Sequence, residues 1–295
     1  MAAQTQGLII KATGGFYYVQ AREGLYECRA RGLFRKDNIT PYVGDAVEVE
    51  VTGAGQGYVT AILPRSNSLV RPPLANIHRL AVVLSTARPA PNLLVADTMC
   101  VIAERQGVPP AVIVTKADLA DPAPISGVYA AAGYEVLVTS AQTGQGLDEA
   151  AAFLQGGITA LSGNSGSGKS SLLNAIDPAL QLPTGGISDK LGRGRHTTRH
   201  VELHPLAGGG YVADTPGFSA LEIEQLAPMP ADELQHCFPE FAPHIGNCRF
   251  TGCAHLCERG CAVLAAVEQG EIPLSRHKSY VTLYERLKKL KEWEL

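Results

Sequence analysis

The sequence predicts a multidomain α/β chain in three parts: a small N-terminal β-barrel, a parallel sheet with helices on both faces, and a C-terminal metal-binding helical segment. Three observations carry that prediction. Five short runs of β-forming residues fall within residues 7–64; strand-like and helix-like segments then alternate; and four cysteines and a histidine crowd into residues 248–261.

Bulk properties narrow the function classes. The chain has 295 residues, 45% of them hydrophobic, and a formal net charge of −3, which leaves room for more than one core and gives no hint of nucleic acid. No apolar run approaches the roughly 20 residues that cross a bilayer. The start "MAAQTQGLIIKATGG" lacks a basic stretch leading into a long apolar one, so a cytoplasmic location with no membrane partner is expected. Seven cysteines, an odd number with four of them clustered, suit a local metal site better than a disulfide framework. Cys100 lies in helix-like "NLLVADTMCVIAERQG" and reads as core.

Residues 1–68 form the barrel part. The runs "GLIIKATGG", "FYYVQARE", "LYECRARG", "DAVEVEVTG" and "GYVTAILP" are separated by Gly, Pro or Asn signals, and five such strands suggest a barrel of the kind that binds oligonucleotides. Arg22, Arg29, Arg31, Arg35 and Lys36 stand near Tyr17, Tyr18, Tyr26 and Phe34, the mixture of charge and stacking surface that RNA-binding faces use.

Residues 69–222 form the α/β part. "RLAVVLST", "PAVIVTK", "YEVLVTSA" and "ITALSG" read as strands, while "PNLLVADTMCVIAERQG", "PISGVYAAAG" and "LDEAAAFLQ" read as helices, the pattern of a parallel sheet. Ligands bind such sheets at the carboxyl ends of strands. There the sequence places Ser162-Gly163-Asn164-Ser165-Gly166-Ser167-Gly168-Lys169-Ser170-Ser171, a phosphate-binding loop between a strand and the helix "KSSLLNAI". Its glycines let backbone N–H groups point at phosphate oxygens; Lys169 supplies charge to the β- and γ-phosphates and Ser170 a hydroxyl for Mg²⁺.

Two earlier strand ends choose the base. Thr115-Lys116-Ala117-Asp118 offers a carboxylate that accepts from guanine N1–H and its exocyclic amine, a donor pair adenine lacks. Lys116 would lie along the base, and the N–H at Ala141, beside Ser140, would meet the guanine carbonyl oxygen. After the phosphate loop comes Asp214-Thr215-Pro216-Gly217, with Asp214 near Mg²⁺ and the Gly217 amide near the γ-phosphate. In ordinary GTPases the base-reading motifs follow the phosphate loop; here they precede it, so the domain reads as circularly permuted.

Residues 223–295 close the chain. Cys248-x4-Cys253-x-His255-x5-Cys261 offers three thiolates and an imidazole, a tetrahedral Zn²⁺ set, with Cys257 spare. The segment has few large apolar residues, so its zinc would be structural. Beyond it "SRHKSYVTLYERLKKLKEWEL" reads as an amphipathic helix with Tyr280, Leu283, Tyr284, Leu287 and Leu290 on one stripe.

Over nearly its whole length the sequence resembles the bacterial ribosome small-subunit-dependent GTPase A family, through "TKAD", "TSA", "GNSGSGKS", "DTPG" in permuted order and the Cys-x4-Cys-x-His-x5-Cys knuckle. The resemblance implies an OB-fold barrel, a permuted P-loop GTPase domain and a zinc domain. It implies as well a late role in 30S maturation, with barrel and zinc domain gripping 16S rRNA and GTP hydrolysis stimulated by the subunit. It makes "GRGRHTTRH" at 192–200 the first switch. There are departures: Thr115 replaces the Asn of many GTPases, removing some hydrogen bonds that brace the loop, Arg259 stands where the family often has Pro, and Cys257 is an extra thiol.

For catalysis, Phe218 follows Gly217 where Ras-like enzymes place a water-orienting Gln, and a phenyl ring cannot hydrogen-bond water. His196 is the candidate to orient or deprotonate it, against an alternative as an rRNA phosphate contact with Arg193, Arg195 and Arg199. Of Thr197 and Thr198, the second is the chosen Mg²⁺ ligand. Two function classes stand: a GTPase released from the small subunit by hydrolysis, and a GTP-gated RNA-binding module with vestigial hydrolysis. A monomer is expected.

Overall fold

In a computed structural model that describes residues 3–31, 34, 39–70, 72–184, 201–214 and 228–290, the chain divides into two compact units. One holds residues 1–79, 154–161 and 189–216; the other holds 80–153, 162–188 and 217–295. In chain order the strands are β1 (Ala3–Thr13), β2 (Phe16–Ala21), β3 (Gly24–Ala30), β4 (Ala46–Gly53), β5 (Gln56–Ile62), β6 (Ser68–Val70), β7 (Pro73–Ala75), β8 (Arg79–Ser85), β9 (Pro110–Thr115), β10 (Glu135–Val138), β11 (Ile158–Ser162), β12 (Leu203–Pro205) and β13 (Tyr211–Asp214). The α-helices are α1 (Leu93–Arg105), α2 (Ala123–Ala131), α3 (Leu147–Leu154), α4 (Lys169–Ile176), α5 (Ala262–Gln269) and α6 (Leu274–Leu287). None is long and apolar enough to cross a membrane.

In the first unit the five strands expected from the sequence close into a barrel in the order β1-β2-β3-β5-β4. Every neighbouring pair is antiparallel except β3 with β5. Alternation along each strand turns Ile9, Val19, Cys28, Val47, Val49 and Val59 inward, all fully buried. That burial pushes the Cys28 thiol up to about 11, which leaves it unreactive at neutral pH. A bulge between Ile9 and Lys11 bends β1. On the surface expected to meet RNA, the Arg29 guanidinium lies 4.6 Å over the Phe16 ring, and Arg31 pairs with Glu50. Arg35 and Lys36 lie outside the described residues.

The short β6–β7 hairpin has no forerunner in the sequence reading. β11 runs parallel to β13, with Leu161 opposite Asp214, whereas β12 runs antiparallel to β13, so the sheet is mixed where the sequence suggested a parallel one. The physical reason is the connection: residues 206–210 form a tight turn closed by Leu206 N–H to Gly210 O at 3.1 Å, and so short a link joins only antiparallel neighbours.

In the second unit β8, β9 and β10 are parallel, in the order β10-β9-β8, and the central β9 is apolar almost throughout because both its faces are covered. Asn92 caps α1 by accepting from the Val95 N–H at 3.2 Å. Cys100 is fully buried, as expected of core. α6 buries Tyr280, Leu283 and Leu287 from the foreseen stripe, and it also buries Arg276 and His277. Arg276 is fully enclosed, with Nη1 2.7 Å from Asp97 Oδ1 on α1, Nε 2.6 Å from Glu240 Oε1, and Nη2 3.3 Å from the Tyr134 hydroxyl. Burial alone would lower the Arg276 pKa; Asp97 and Glu240 reverse this and raise it well above its usual value.

Candidate nucleotide and metal sites

All five residues of β11 are buried, and the phosphate loop begins as the strand ends. At Gly163 the backbone sits at φ 153°, and a Cβ there would lie 2.5 Å from the Val83 carbonyl oxygen on β8, so only glycine fits. Gly168, at φ 96°, turns the chain left-handed into α4, whose first N–H groups have no helical partner and make an anion-binding end. Lys169 at the first position of α4 has its Nζ 2.7 Å from Gly163 O and 3.2 Å from Asn164 O, so its charge is held over the loop. Ser162 and Ser167 are buried, Ser170 is half-buried, and Ser165 and Ser171 are exposed.

The base-reading motif touches this loop directly. Thr115 Oγ1 is 2.5 Å from Ser167 O and 3.1 Å from Leu84 O, so its single proton ties the end of β9 to the phosphate loop. The threonine thus keeps one brace of the loop, where the sequence suggested that some of them are removed. Lys116 adopts φ 60°, and its Nζ donates to Gly166 O at 2.8 Å and Arg88 O at 2.6 Å. Ser140 Oγ donates to Asp118 Oδ1 at 2.5 Å, which aims the carboxylate, while Asp118 and Ala141 remain exposed to a ligand. These cross-links among Thr115, Lys116, Asp118, Ser140 and the loop escape sequence reading because each spans a gap of 22 to 52 residues.

The C-terminal cluster brings one ligand atom each from Cys248, Cys253, His255 and Cys261 within 4.8 Å of one another. A tetrahedral zinc with Zn–S near 2.3 Å and Zn–N near 2.0–2.1 Å requires S···S of about 3.8 Å and S···N of about 3.6 Å. The structure has Cys248 Sγ 3.8 Å from Cys261 Sγ, and His255 Nδ1 3.6 and 3.3 Å from the same two sulfurs, so the donor set fits such an ion. Cys257 is exposed and outside this group.

Three supports of the cluster were not legible beforehand. His255 Nε2 lies 2.9 Å from Gln235 Oε1, a pairing that puts the ring proton on Nε2 and leaves the Nδ1 lone pair for a metal. Burial lowers the His255 pKa, keeping the imidazole neutral as a ligand must be. Glu258 accepts the N–H groups of Ala254, Leu256 and Cys257 at 3.0, 2.8 and 3.0 Å, holding the loop in shape. Burial would raise the Glu258 pKa, but those N–H groups outweigh it and lower it. From α6, His277 Nε2 reaches His255 O at 2.8 Å and Tyr280 OH donates to Ala254 O at 2.9 Å.

Other sequence candidates are placed only in part. Asp214 ends β13 in register with Leu161, the residue immediately before the phosphate loop. His196, Thr197, Thr198, Gly217 and Phe218 lie outside the described residues.

Comparison with known proteins agrees with this geometry. The RsgA N-terminal domain family matches residues 6–59 and the RsgA GTPase family residues 62–224. Relatives include the small ribosomal subunit biogenesis GTPase RsgA of Caldanaerobacter subterraneus subsp. tengcongensis, 46% identical with 96% of each chain covered. That of Geobacillus kaustophilus is 47% identical, with 97% of this chain and 98% of the relative covered. Among solved structures, YjeQ from Thermotoga maritima superposes with a TM-score of 0.81 at 33% identity, over 98% of this chain and all of the other. YloQ, described as a circularly permuted GTPase, gives 0.78 at 36% identity, over 98% and 96%. With the barrel, the permuted order of motifs and these matches in place, the chain belongs to the RsgA family of circularly permuted GTPases.

Proposed function

We propose that this chain acts in biogenesis of the small ribosomal subunit, binding the 30S particle in its GTP state and leaving after hydrolysis. The observation that carries the nucleotide reading is the junction of the two permuted halves. Lys116 Nζ donates to Gly166 O and Thr115 Oγ1 lies 2.5 Å from Ser167 O, so base reader and phosphate cradle form one site. Asp118, aimed by Ser140, accepts from guanine; the Ala141 amide meets the base carbonyl; the lysine stem lies along the ring. The loop Ser162–Ser171 wraps the phosphates, with Lys169 supplying charge.

Ser170, Thr198 and Asp214 are the residues that would hold Mg²⁺, which when bound neutralises charge on the β- and γ-phosphates. The Gly217 amide would reach the γ-phosphate. His196 is the proposed group that orients water, since Phe218 offers no hydrogen bond. Zn²⁺, one per chain, is the proposed occupant of Cys248, Cys253, His255 and Cys261, where it would cross-link a loop too poor in apolar residues to fix itself. The parts 1–68, 69–222 and 223–295 serve as RNA-binding barrel, GTPase and zinc domain, and the barrel's Arg29 and Phe16 suit contact with 16S rRNA. The setting is the cytoplasm and the chain acts as a monomer.

Titration with labelled GDP, ADP and XDP tests the base assignment. Wild type should prefer GDP, and Asp118→Asn should weaken GDP by about 1–3 kcal/mol, roughly 5- to 140-fold, while gaining XDP. Equal GDP affinity in the variant would sink the assignment.

A further inference from the structure

We propose that Thr86 is a positioning residue for guanine nucleotide, holding Lys116 in the backbone conformation that sends its side chain across the phosphate loop. The proposal rests on the reading of Lys116 as the residue lying along the base. Among the described residues Lys116 is one of four non-glycine residues at positive φ, at 60°, a conformation disfavoured for a side-chain-bearing residue unless its surroundings impose it.

Those surroundings come from the segment after β8. Thr86 Oγ1 donates to the Lys116 carbonyl at 2.6 Å, and the Thr86 N–H donates to the preceding carbonyl, Thr115 O, at 3.1 Å. One residue thus grips both consecutive carbonyls at the point where the chain leaves β9 and turns left-handed. Two residues on, Arg88 O accepts from Lys116 Nζ at 2.6 Å, so the same short segment fixes the far end of the side chain. The Lys116 carbonyl also takes the Leu119 N–H at 2.9 Å, closing the turn that presents Asp118. With Gly166 O as the other acceptor at 2.8 Å, two of the three ammonium protons are committed and the stem is stretched over the loop. Without the Thr86 hydroxyl the backbone amide contact to Thr115 remains, but nothing on that segment holds the carbonyl that defines the left-handed turn.

The test is GDP titration of the full chain carrying Thr86→Val, Thr86→Ser, Lys116→Ala, and Thr86→Val combined with Lys116→Ala. Thr86→Val should weaken GDP about three- to tenfold, the value of one lost hydrogen bond, and Thr86→Ser, which keeps the donor, should stay near wild type. In the Lys116→Ala background Thr86→Val should cost clearly less than it does in wild type, because the residue acts mainly through that side chain. Full additivity of the two changes, or wild-type affinity in Thr86→Val beside a weakened Lys116→Ala, overturns the proposal alone. Wild-type affinity in Lys116→Ala overturns the underlying reading of the base site. Should Thr86→Val fail to fold, Thr86→Ala removes the same donor with less bulk and carries the same comparison.

Discussion

Replacing Arg276 by methionine should strongly destabilise the second unit. The guanidinium is fully enclosed, and removing it strands Asp97 and Glu240, whose side chains are only 1% and 2% exposed. It also removes the cation stacked 4.6 Å over the Phe238 ring. Breaking one partner from a buried ionic network costs about 3–5 kcal/mol, because a buried charge is left uncompensated. At about 2–4 °C per kcal/mol for a unit of this size, the melting midpoint should fall by roughly 6–20 °C. Thermal melts followed by circular dichroism on metal-loaded protein measure it. Arg276→Lys should recover part of the loss, since a point charge cannot replace a fork that engages Asp97, Glu240 and Tyr134 together. A drop below about 2 °C in Arg276→Met would refute the reasoning, because it would mean the carboxylates find water or protons cheaply.

Two further outcomes are expected. Metal analysis of purified chains should give one zinc in Cys257→Ser, whose thiol is exposed outside the cluster, and less than one in Cys253→Ser and Cys261→Ser; the reverse pattern would reassign the site. The Glu258 pKa is lowered in the folded chain, so its stabilisation is complete above its ordinary value of 4.5 and is lost as pH falls through the lowered one. The melting difference between wild type and Glu258→Gln should therefore be constant near neutrality and shrink only below pH 4.5; a difference that grows on acidification would contradict the sign.

What was legible in the sequence was local. The barrel strands announce themselves by alternation, with Ile9, Val19, Val47 and Val59 all facing in, and the phosphate loop by its glycines, of which Gly163 leaves no room for a side chain. The metal ligands lie within fourteen residues, so spacing alone gathers them. What was hidden depends on partners distant in the chain. Arg276 lies off the apolar stripe that marks its helix, yet it is buried because Asp97, 179 residues earlier, meets it. Gln235 looks like an exposed polar residue until His255, 20 residues later, lies against it. The antiparallel β12 could not be read because its strand is three residues long, too short for periodicity to register.

The central claim, that this fold couples guanine nucleotide hydrolysis to the small subunit, is tested most directly by single-turnover GTP hydrolysis with and without purified 30S particles. Slow hydrolysis by the free chain and a marked acceleration by the particle, falling steeply as salt rises because phosphate contacts are screened, is the predicted result. An identical rate with and without 30S, at saturating particle and low salt, would contradict it.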